Sequence, residues 1–259
     1  MDYARRRSLQ GLGLAVAAGF GMTQTARASL QSPLIPDAAK TLDDLQRRLA
    51  KLPRRRDFKS VPMVLNSRDQ WDAEALDAVL HYAGGPKQSW DNTDIGGPWL
   101  NVMRNSMNAQ IHSFQHPDFL CVSATHGSAQ FGLYDDFLWQ KYKLGSRLLD
   151  GKPDHNALID SSPAASVDPA DYENPKGAFS SAGNSITQLQ RRGAVFLVCH
   201  NAIWEHCEKL IAMNINPDNL KTEELCAEIS NHLIPGAILT PGAVATLVEL
   251  ASAGFSYAR

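Results

Sequence analysis

The sequence predicts an α/β protein, in which short strands buried on both faces alternate with amphipathic helices. Residues 194–199 are an apolar run (Ala-Val-Phe-Leu-Val-Cys), and a helical pattern of apolar residues follows at once over 202–210. A continuous apolar run of this length indicates a strand of a parallel sheet. Strand–helix alternation implies right-handed crossovers with helices on both faces. We therefore expect a flavodoxin-like three-layer sandwich around a mostly parallel five-stranded sheet.

The first 28 residues have the order of a secretory signal. Arg5-Arg6-Arg7 precede an apolar run over 12–22, and Ala26-Arg27-Ala28 follow as a small-x-small cleavage pattern. Paired arginines favour the twin-arginine export route, which predicts a periplasmic protein. The apolar run is shorter than the roughly 20 residues that span a bilayer, so we expect no membrane span. The alternative is a cytoplasmic protein with a basic amphipathic N-terminus.

Residues 29–84 are predicted to be an N-terminal helical extension and linker. Leucines recur on one face of a helix over 37–51, and a second helix over 71–82 is ended by Gly84-Gly85-Pro86. Between them, Arg54-Arg55-Arg56 are expected to be a solvated linker.

Residues 85–259 are predicted to be the α/β domain. Apolar runs predict strands at 87–90, 117–125, 194–199, 235–239 and 254–257. Helical periodicity and turn residues predict further helices at 98–112, 128–142, 185–192, 221–231 and 243–253. The stretch 146–183 is rich in Ser, Pro, Asp, Asn and Gly, and we expect it to be a long polar excursion.

The net charge excludes nucleic acid as a partner, and the four cysteines leave the disulfide pairing open. The whole chain has 25 Lys and Arg against 27 Asp and Glu; removing residues 1–28 removes four of the former and one of the latter, leaving a net charge of −5. A mildly acidic chain lacks the basic surface that nucleic acid requires. Four cysteines in an oxidising compartment can pair in three ways, and a Cys207–Cys226 bridge would close a loop of about 20 residues.

The loops that follow parallel strands all open at one edge of the sheet. That edge gathers polar side chains and a thiol: Asp91, Asn92, Thr93, Asp94, His126, Cys199, His200, Asn201 and Thr240. Cys199 would end a strand at the first turn of a helix, where backbone amides lower the pKa of a thiol. The alternative is that Cys199 is simply a small buried side chain.

A cysteine beside a histidine can act as a nucleophile–base pair, with the imidazole taking the thiol proton. His126 and His200 are the candidates, because His206 lies about 10 Å further along its helix than Cys199. Dinucleotide, Walker and nucleophile-elbow motifs are missing from the sequence, and the Cys and His spacing does not match a zinc motif. We therefore expect no metal and no cofactor.

Several segments resemble the DsrE/DsrF-like proteins, and more narrowly their exported, twin-arginine-tagged branch. They cover roughly residues 85–259, and the Pro-Gly-Ala block at 235–237 is the most distinctive part. The matching segments are 88–94 (QSWDNTD), 97–101 (GPWLN), 193–201 (GAVFLVCHN), 233–242 (LIPGAILTPG) and 250–257 (LASAGFSY).

The resemblance implies a five-stranded α/β fold, a homo-oligomer, and a cysteine that carries sulfane sulfur as a persulfide. Cys199 occupies the corresponding place, with His200 or His126 setting its protonation and Asn92, Asp94, Asn201 and Thr240 lining the pocket. The partners would be small sulfur species or a thiol protein. The alternative is a non-catalytic ligand-binding or oligomeric assembly module on the same fold.

Overall fold

The computed structural model describes residues 33–160 and 167–259, so the predicted signal at 1–28 lies outside the described residues. In the described part, five parallel strands form one sheet in the order β4-β3-β2-β1-β5. This confirms the predicted α/β sandwich. The strands are β1 Lys87–Asn92, β2 Leu120–Thr125, β3 Val195–Cys199, β4 Ile238–Thr240 and β5 Ser256–Ala258.

Helices cover both faces of the sheet. They are α1 Lys40–Lys51, α2 Ala73–Leu80, α3 Trp99–Asn108, α4 Asp136–Lys141, α5 Leu144–Leu148, α6 Ile186–Arg191, α7 His200–Ala212, α8 Thr222–Asn231 and α9 Ala243–Ser252. No helix in the described ranges combines the length and apolar character needed to cross a bilayer.

Alternation along β2 separates two cores, because successive side chains of a strand point to opposite faces. Leu120 and Val122 pack with α1, α2 and α9. Cys121 belongs to the larger core on the other face, formed with α3, α7 and α8. The two helices of the 29–84 segment thus cover one face of the sheet and form part of the three-layer sandwich.

Two elements differ from their predicted bounds. β1 continues through Asp91 and Asn92, which the sequence placed in a turn-rich loop because Asp and Asn favour turns. Their side chains are held by partners elsewhere in the fold, described below. The region predicted as largely helical over 128–142 is a 3₁₀ turn at Gly127–Leu133 followed by α4. The two are separated at Tyr134, whose backbone bridges to Leu233.

The arginine run is not simply a solvated linker, which corrects the expectation for Arg56. Its guanidinium donates to both carboxylate oxygens of Asp72 at 3.1 and 2.9 Å, and to the Ala237 carbonyl at 3.1 Å. Asp72 is buried and also accepts from the backbone N–H of Leu239 at 2.7 Å. This ion pair therefore joins the segment before α2 to strand β4.

We expect Arg56→Gln to lower the free energy of unfolding by about 3 kcal/mol, because the buried Asp72 carboxylate loses its closest cation and keeps only the more distant Arg54, at 4.0 Å, among the described residues. Arg55→Gln is the matched control: Arg55 pairs with exposed Asp57 and Asp69, where an ion pair is worth about 1 kcal/mol or less. Urea unfolding at neutral pH compares the two variants. Equal losses of unfolding free energy in the two variants would show that the buried ion pair stabilises the fold no more than the exposed ones do.

The structure distinguishes among the three possible cysteine pairings. The Sγ atoms of Cys207 on α7 and Cys226 on α8 are 2.7 Å apart, and both side chains are buried. Cys121 and Cys199 lie on opposite faces of the sheet, in different clusters.

We expect refolding with oxidised glutathione to join Cys207 to Cys226, because their Sγ atoms already lie 2.7 Å apart. In this exchange the two thiols reduce one glutathione disulfide to two glutathione thiols. Peptide mapping by mass spectrometry should find this link, and Cys226→Ser should lack it. The bond should stabilise the fold by about 3 kcal/mol in the chain-entropy description. A dominant link through Cys121 or Cys199 would contradict the assignment.

Candidate active site

The helices that follow β3 and β4 leave the sheet on opposite faces. α7 packs in the core of α3 and α8, whereas α9 packs in the core of α1 and α2. Since β3 and β4 are neighbours, the starts of α7 and α9 diverge, which is the topology that produces a crevice between the ends of two strands. Crevices of this kind, at the carboxyl ends of strands in open α/β sheets, are where ligands bind.

Cys199 lies at this crevice. It ends β3, directly precedes α7, and pairs in register with Thr240 at the end of β4. It forms a buried cluster with three alanines, Ala124, Ala202 and Ala243, the last being the first residue of α9, and Leu247 packs against this cluster. The thiol is therefore placed between the first turns of two helices and among small side chains.

Two opposing effects act on the Cys199 thiol. Burial is the larger and raises its pKa, while the backbone N–H groups of Ala243, Ala202 and Asn201 favour the thiolate and lower it. The residue is only 5 % exposed. This corrects the expectation of an exposed thiol with a lowered pKa: the helix amides are present, but desolvation outweighs them.

A histidine–carboxylate pair lies at the same edge of the sheet. Nε2 of His126 donates to Oδ1 of Asp91 at 2.7 Å, and the Tyr257 hydroxyl donates to Oδ2 of Asp91 at 2.9 Å. The side chains of His126 and Asp91 are 22 % and 14 % exposed, so solvent reaches both. The hydrogen bond to Asp91 also raises the pKa of the Tyr257 phenol.

The sheet register relates this pair to Cys199. Thr125 pairs with Val198, so a one-residue extension places His126 beside Cys199 on the neighbouring strand, at a spacing of about 4.8 Å between strands. Alternation from Ala124 puts His126 on the same face as the thiol. The bond to Asp91 turns Nε2 towards β1, on the side away from β3.

The second predicted histidine has a different environment. His200 is fully buried, and its Nε2 lies 2.8 Å from the carbonyl oxygen of Pro62, in the segment before α2. Burial lowers the pKa of this imidazole, and the neighbouring backbone carbonyls only partly offset that. One ring nitrogen of His200 is therefore engaged by the backbone of the 29–84 segment.

The predicted pocket residues are divided between the two faces. Asn92 donates to Ser123 Oγ at 2.8 Å and contacts Met103, so its amide is buried under α3, on the face opposite Cys199. Asp94 is exposed and caps the turn at Gly96. Thr240 is buried and donates to the Val198 carbonyl.

Asn201 is the one predicted pocket residue that reaches across the crevice. It is exposed in the first turn of α7, and its side-chain amide lies so close to Gly242 that a Cβ there would be 2.9 Å from Nδ2. Gly242 directly precedes α9, so this amide bridges the starts of the two helices.

A buried hydrogen-bonded chain behind Cys199 was not predicted. The backbone N–H of Cys199 donates to Gln130 Oε1 at 2.7 Å, and Gln130 Nε2 donates to the Cys199 carbonyl at 3.0 Å. Gln130 also donates to the Tyr134 hydroxyl, which lies 2.8 Å from Nδ1 of His206. The side chain of Gln130 thereby fixes the backbone at the end of β3.

His206 thus connects to Cys199 through two intervening side chains. The sequence correctly indicated that its ring is too far along α7 to contact the sulfur. It gave no signal for the connection, because Gln130 and Tyr134 reach Cys199 only through the packing of the 127–133 turn against β3.

This chain matches no known protein-family model, and neither the curated proteins nor the solved structures include a significant match to it. Within residues 33–160 and 167–259, no three His, Cys, Asp or Glu side chains are grouped as metal ligands. The chemistry of the site therefore has to be inferred from its own geometry.

His206 predicts a pH dependence of stability. Burial lowers its pKa to about 4, against an ordinary value of 6.5, so the unfolded chain binds a proton that the folded chain rejects. Stability from the neutral imidazole is complete above pH 6.5 and falls as the pH drops towards 4. Between pH 7 and 5 this residue should account for a loss of about 2 kcal/mol.

Urea unfolding of His206→Gln at both pH values measures the effect, and the variant should lose less stability on acidification than the wild type. His81→Gln is the control, because His81 is exposed on the surface. An unchanged pH dependence in His206→Gln would show that another group is responsible.

Proposed function

We propose that this protein binds and relays sulfane sulfur through a persulfide on Cys199, as a periplasmic protein of the DsrE/DsrF-like type. The observation that carries the proposal is the position of the Cys199 thiol, where backbone amides from the starts of α7 and α9 both favour its anion. Helix N-termini stabilise negative charge, and a persulfide at this position would remain anionic.

The proposed step transfers one sulfur atom without net oxidation. The Cys199 thiolate attacks the outer sulfur of thiosulfate, a new S–S bond forms, and the bond between the two sulfurs of thiosulfate breaks. Sulfite leaves with the electron pair of the broken bond, and Cys199 becomes a persulfide anion. A thiol partner protein would then take the terminal sulfur by the same kind of exchange.

The thiolate must first form against the effect of burial, so a proton acceptor is needed. His126 is the better placed of the two predicted histidines, because it is partly exposed and lies beside Cys199 by register. Asp91 accepts from its Nε2 and so leaves Nδ1 as the nitrogen that can take the thiol proton. His200, with Nε2 on Pro62, is the less suitable base.

Access to the thiol would depend on Asn201. Its exposed side-chain amide lies against Gly242 at the start of α9, so this side chain is the group that we propose moves when a sulfur donor enters. Cys199 packs with the small side chains of Ala124, Ala202 and Ala243, and the partly buried Leu247 is the larger side chain beside this cluster.

The test is persulfide trapping. After incubation with thiosulfate or polysulfide and alkylation of exposed sulfur, peptide mass spectrometry should find an additional 32 Da of sulfur on the peptide that contains Cys199. Cys199→Ser should abolish this signal. Cys121→Ser is the matched control and should keep it, since Cys121 is another buried cysteine but lies on the opposite face of the sheet.

His126→Gln should slow sulfur loading at neutral pH by about 10²-fold or more, the usual contribution of a general base. Raising the pH should restore part of the rate, because hydroxide can then form the thiolate. Persulfide that persists in Cys199→Ser, or loading that His126→Gln leaves unchanged, would refute the corresponding role.

The second candidate is a non-catalytic binding or assembly module. It is favoured by the low exposure of Cys199 and by apolar side chains on the outer surface beside the crevice, Val244 and Val248 on α9 and Tyr257 on β5, which are 57–63 % exposed. Under this alternative, Cys199 in the folded protein stays inert towards both a thiol probe and thiosulfate, and the chain forms homo-oligomers through α9.

A further inference from the structure

Outside the candidate active site, the guanidinium of Arg192 is buried without its full set of hydrogen bonds. It lies between α6 and β3, at the edge where the strands begin, and is 1 % exposed. Nη2 donates to Asn108 Oδ1 at 2.6 Å, and the group stacks 4.8 Å from the centre of the Phe179 ring. Its Nε and Nη1 have no hydrogen-bond partner in the described part of the chain.

Two more cationic or cationisable side chains lie near Arg192 with unused buried donors. Arg104 donates to the Phe179 carbonyl and to Asn101, but its Nε has no partner among the described residues. His112 stacks on Tyr172 at 3.8 Å, and its Nε2 is likewise buried and unpartnered in the described structure. Burial lowers the pKa of His112, and the positive charge of Arg192 lowers it further. Burial likewise lowers the pKa of Arg192, and repulsion by Arg104 adds to this effect.

The Cys121 thiol does not supply a negative charge that would compensate the guanidinium of Arg192. Cys121 lies beside Arg192, but burial raises its pKa to about 12, so it is a neutral thiol near pH 7. Burial lowers the pKa of Arg192 only to about 9, which leaves it charged. No carboxylate of the described residues contributes to the electrostatics of Arg192 or Arg104.

A buried guanidinium that lacks both a counter-charge and two hydrogen bonds is strongly disfavoured. Such a group in a native fold calls for an ion or water that completes it. Two guanidiniums and an imidazole offering N–H donors suit an oxyanion, because its several oxygens can accept from all three at once.

We propose that Arg192, Arg104 and His112 form a binding site for a small oxyanion such as sulfate, at the edge of the sheet opposite Cys199. The aromatic side chains of Tyr172 and Phe179, from the polar excursion, cover the site. This gives the described residues around 172–179 a role, since Tyr172 and Phe179 would shield the bound anion from water.

A cavity of about 580 Å³ lies beside the His112 end of the proposed site. His112 and Tyr172 line its wall, and Asp37 and Asp168 lie on the same wall. The Asp37 carboxylate on this wall disfavours an extended anionic ligand that would fill the cavity, so the site suits a small ion.

The experiment is a sulfate titration of the full chain, monitored by thermal unfolding and by NMR of the arginine Nε–H and tryptophan indole signals. Sodium chloride at matched ionic strength is the control. Sulfate should raise the melting temperature saturably, and at 100 times its Kd it should lower the unfolding equilibrium constant about 100-fold. At least one arginine Nε–H signal, assigned by its loss in Arg192→Gln, should shift with the same midpoint.

Arg192→Gln and Arg104→Gln should lose the saturable response. Arg147→Gln, which removes an exposed arginine, should keep it, and so should Cys199→Ser, which makes this test independent of the sulfur-relay proposal. If Arg192→Gln does not fold, Arg104→Gln and the wild-type NMR titration decide. A melting temperature that rises linearly and equally in all variants, or arginine signals that do not move, would overturn the proposal.

Discussion

The divergence of α7 and α9 from neighbouring strands is the constraint on which the candidate active site depends. A parallel sheet brings the ends of β3 and β4 to one edge, and helices packed on opposite faces must begin there by moving apart. The crevice between them places backbone N–H groups of both first turns beside one side chain, that of Cys199. No local sequence feature could produce this arrangement without the sheet.

Burial and helix amides act on Cys199 in opposite directions, and their balance sets its chemistry. A thiol whose pKa is raised by burial is unreactive until a base or a movement of its cover exposes it. That property suits a carrier, because a persulfide shielded from water and from stray thiols survives until a partner opens the crevice. It suits a packed structural residue equally, and reactivity of the sulfur separates the two functions.

The edges of the sheet differ in the charge they have to accommodate. At the edge where strands end, Asp91 is satisfied by His126 and Tyr257, and the amides around Cys199 favour an anion of the chain itself. At the edge where strands begin, Arg192 is buried with two nitrogens unpartnered in the described residues. Side chains of the protein itself pair with the charge of Asp91 at the first edge, whereas the proposed anion would pair with the charge of Arg192 at the second.

Periodicity alone was enough to predict the fold class, the five strands and most helices, because apolar runs and helical repeats are local properties. It also placed Cys199 at the junction of β3 and α7. Asp91 and Asn92 were assigned to a loop because their side chains favour turns. Pairing with β2, together with side-chain hydrogen bonds to His126, Tyr257 and Ser123, holds them in β1. The burial of Cys199 and the pairing of Arg56 with the buried Asp72 were decided by tertiary packing, since desolvation depends on every neighbouring element and not on the residue's own segment.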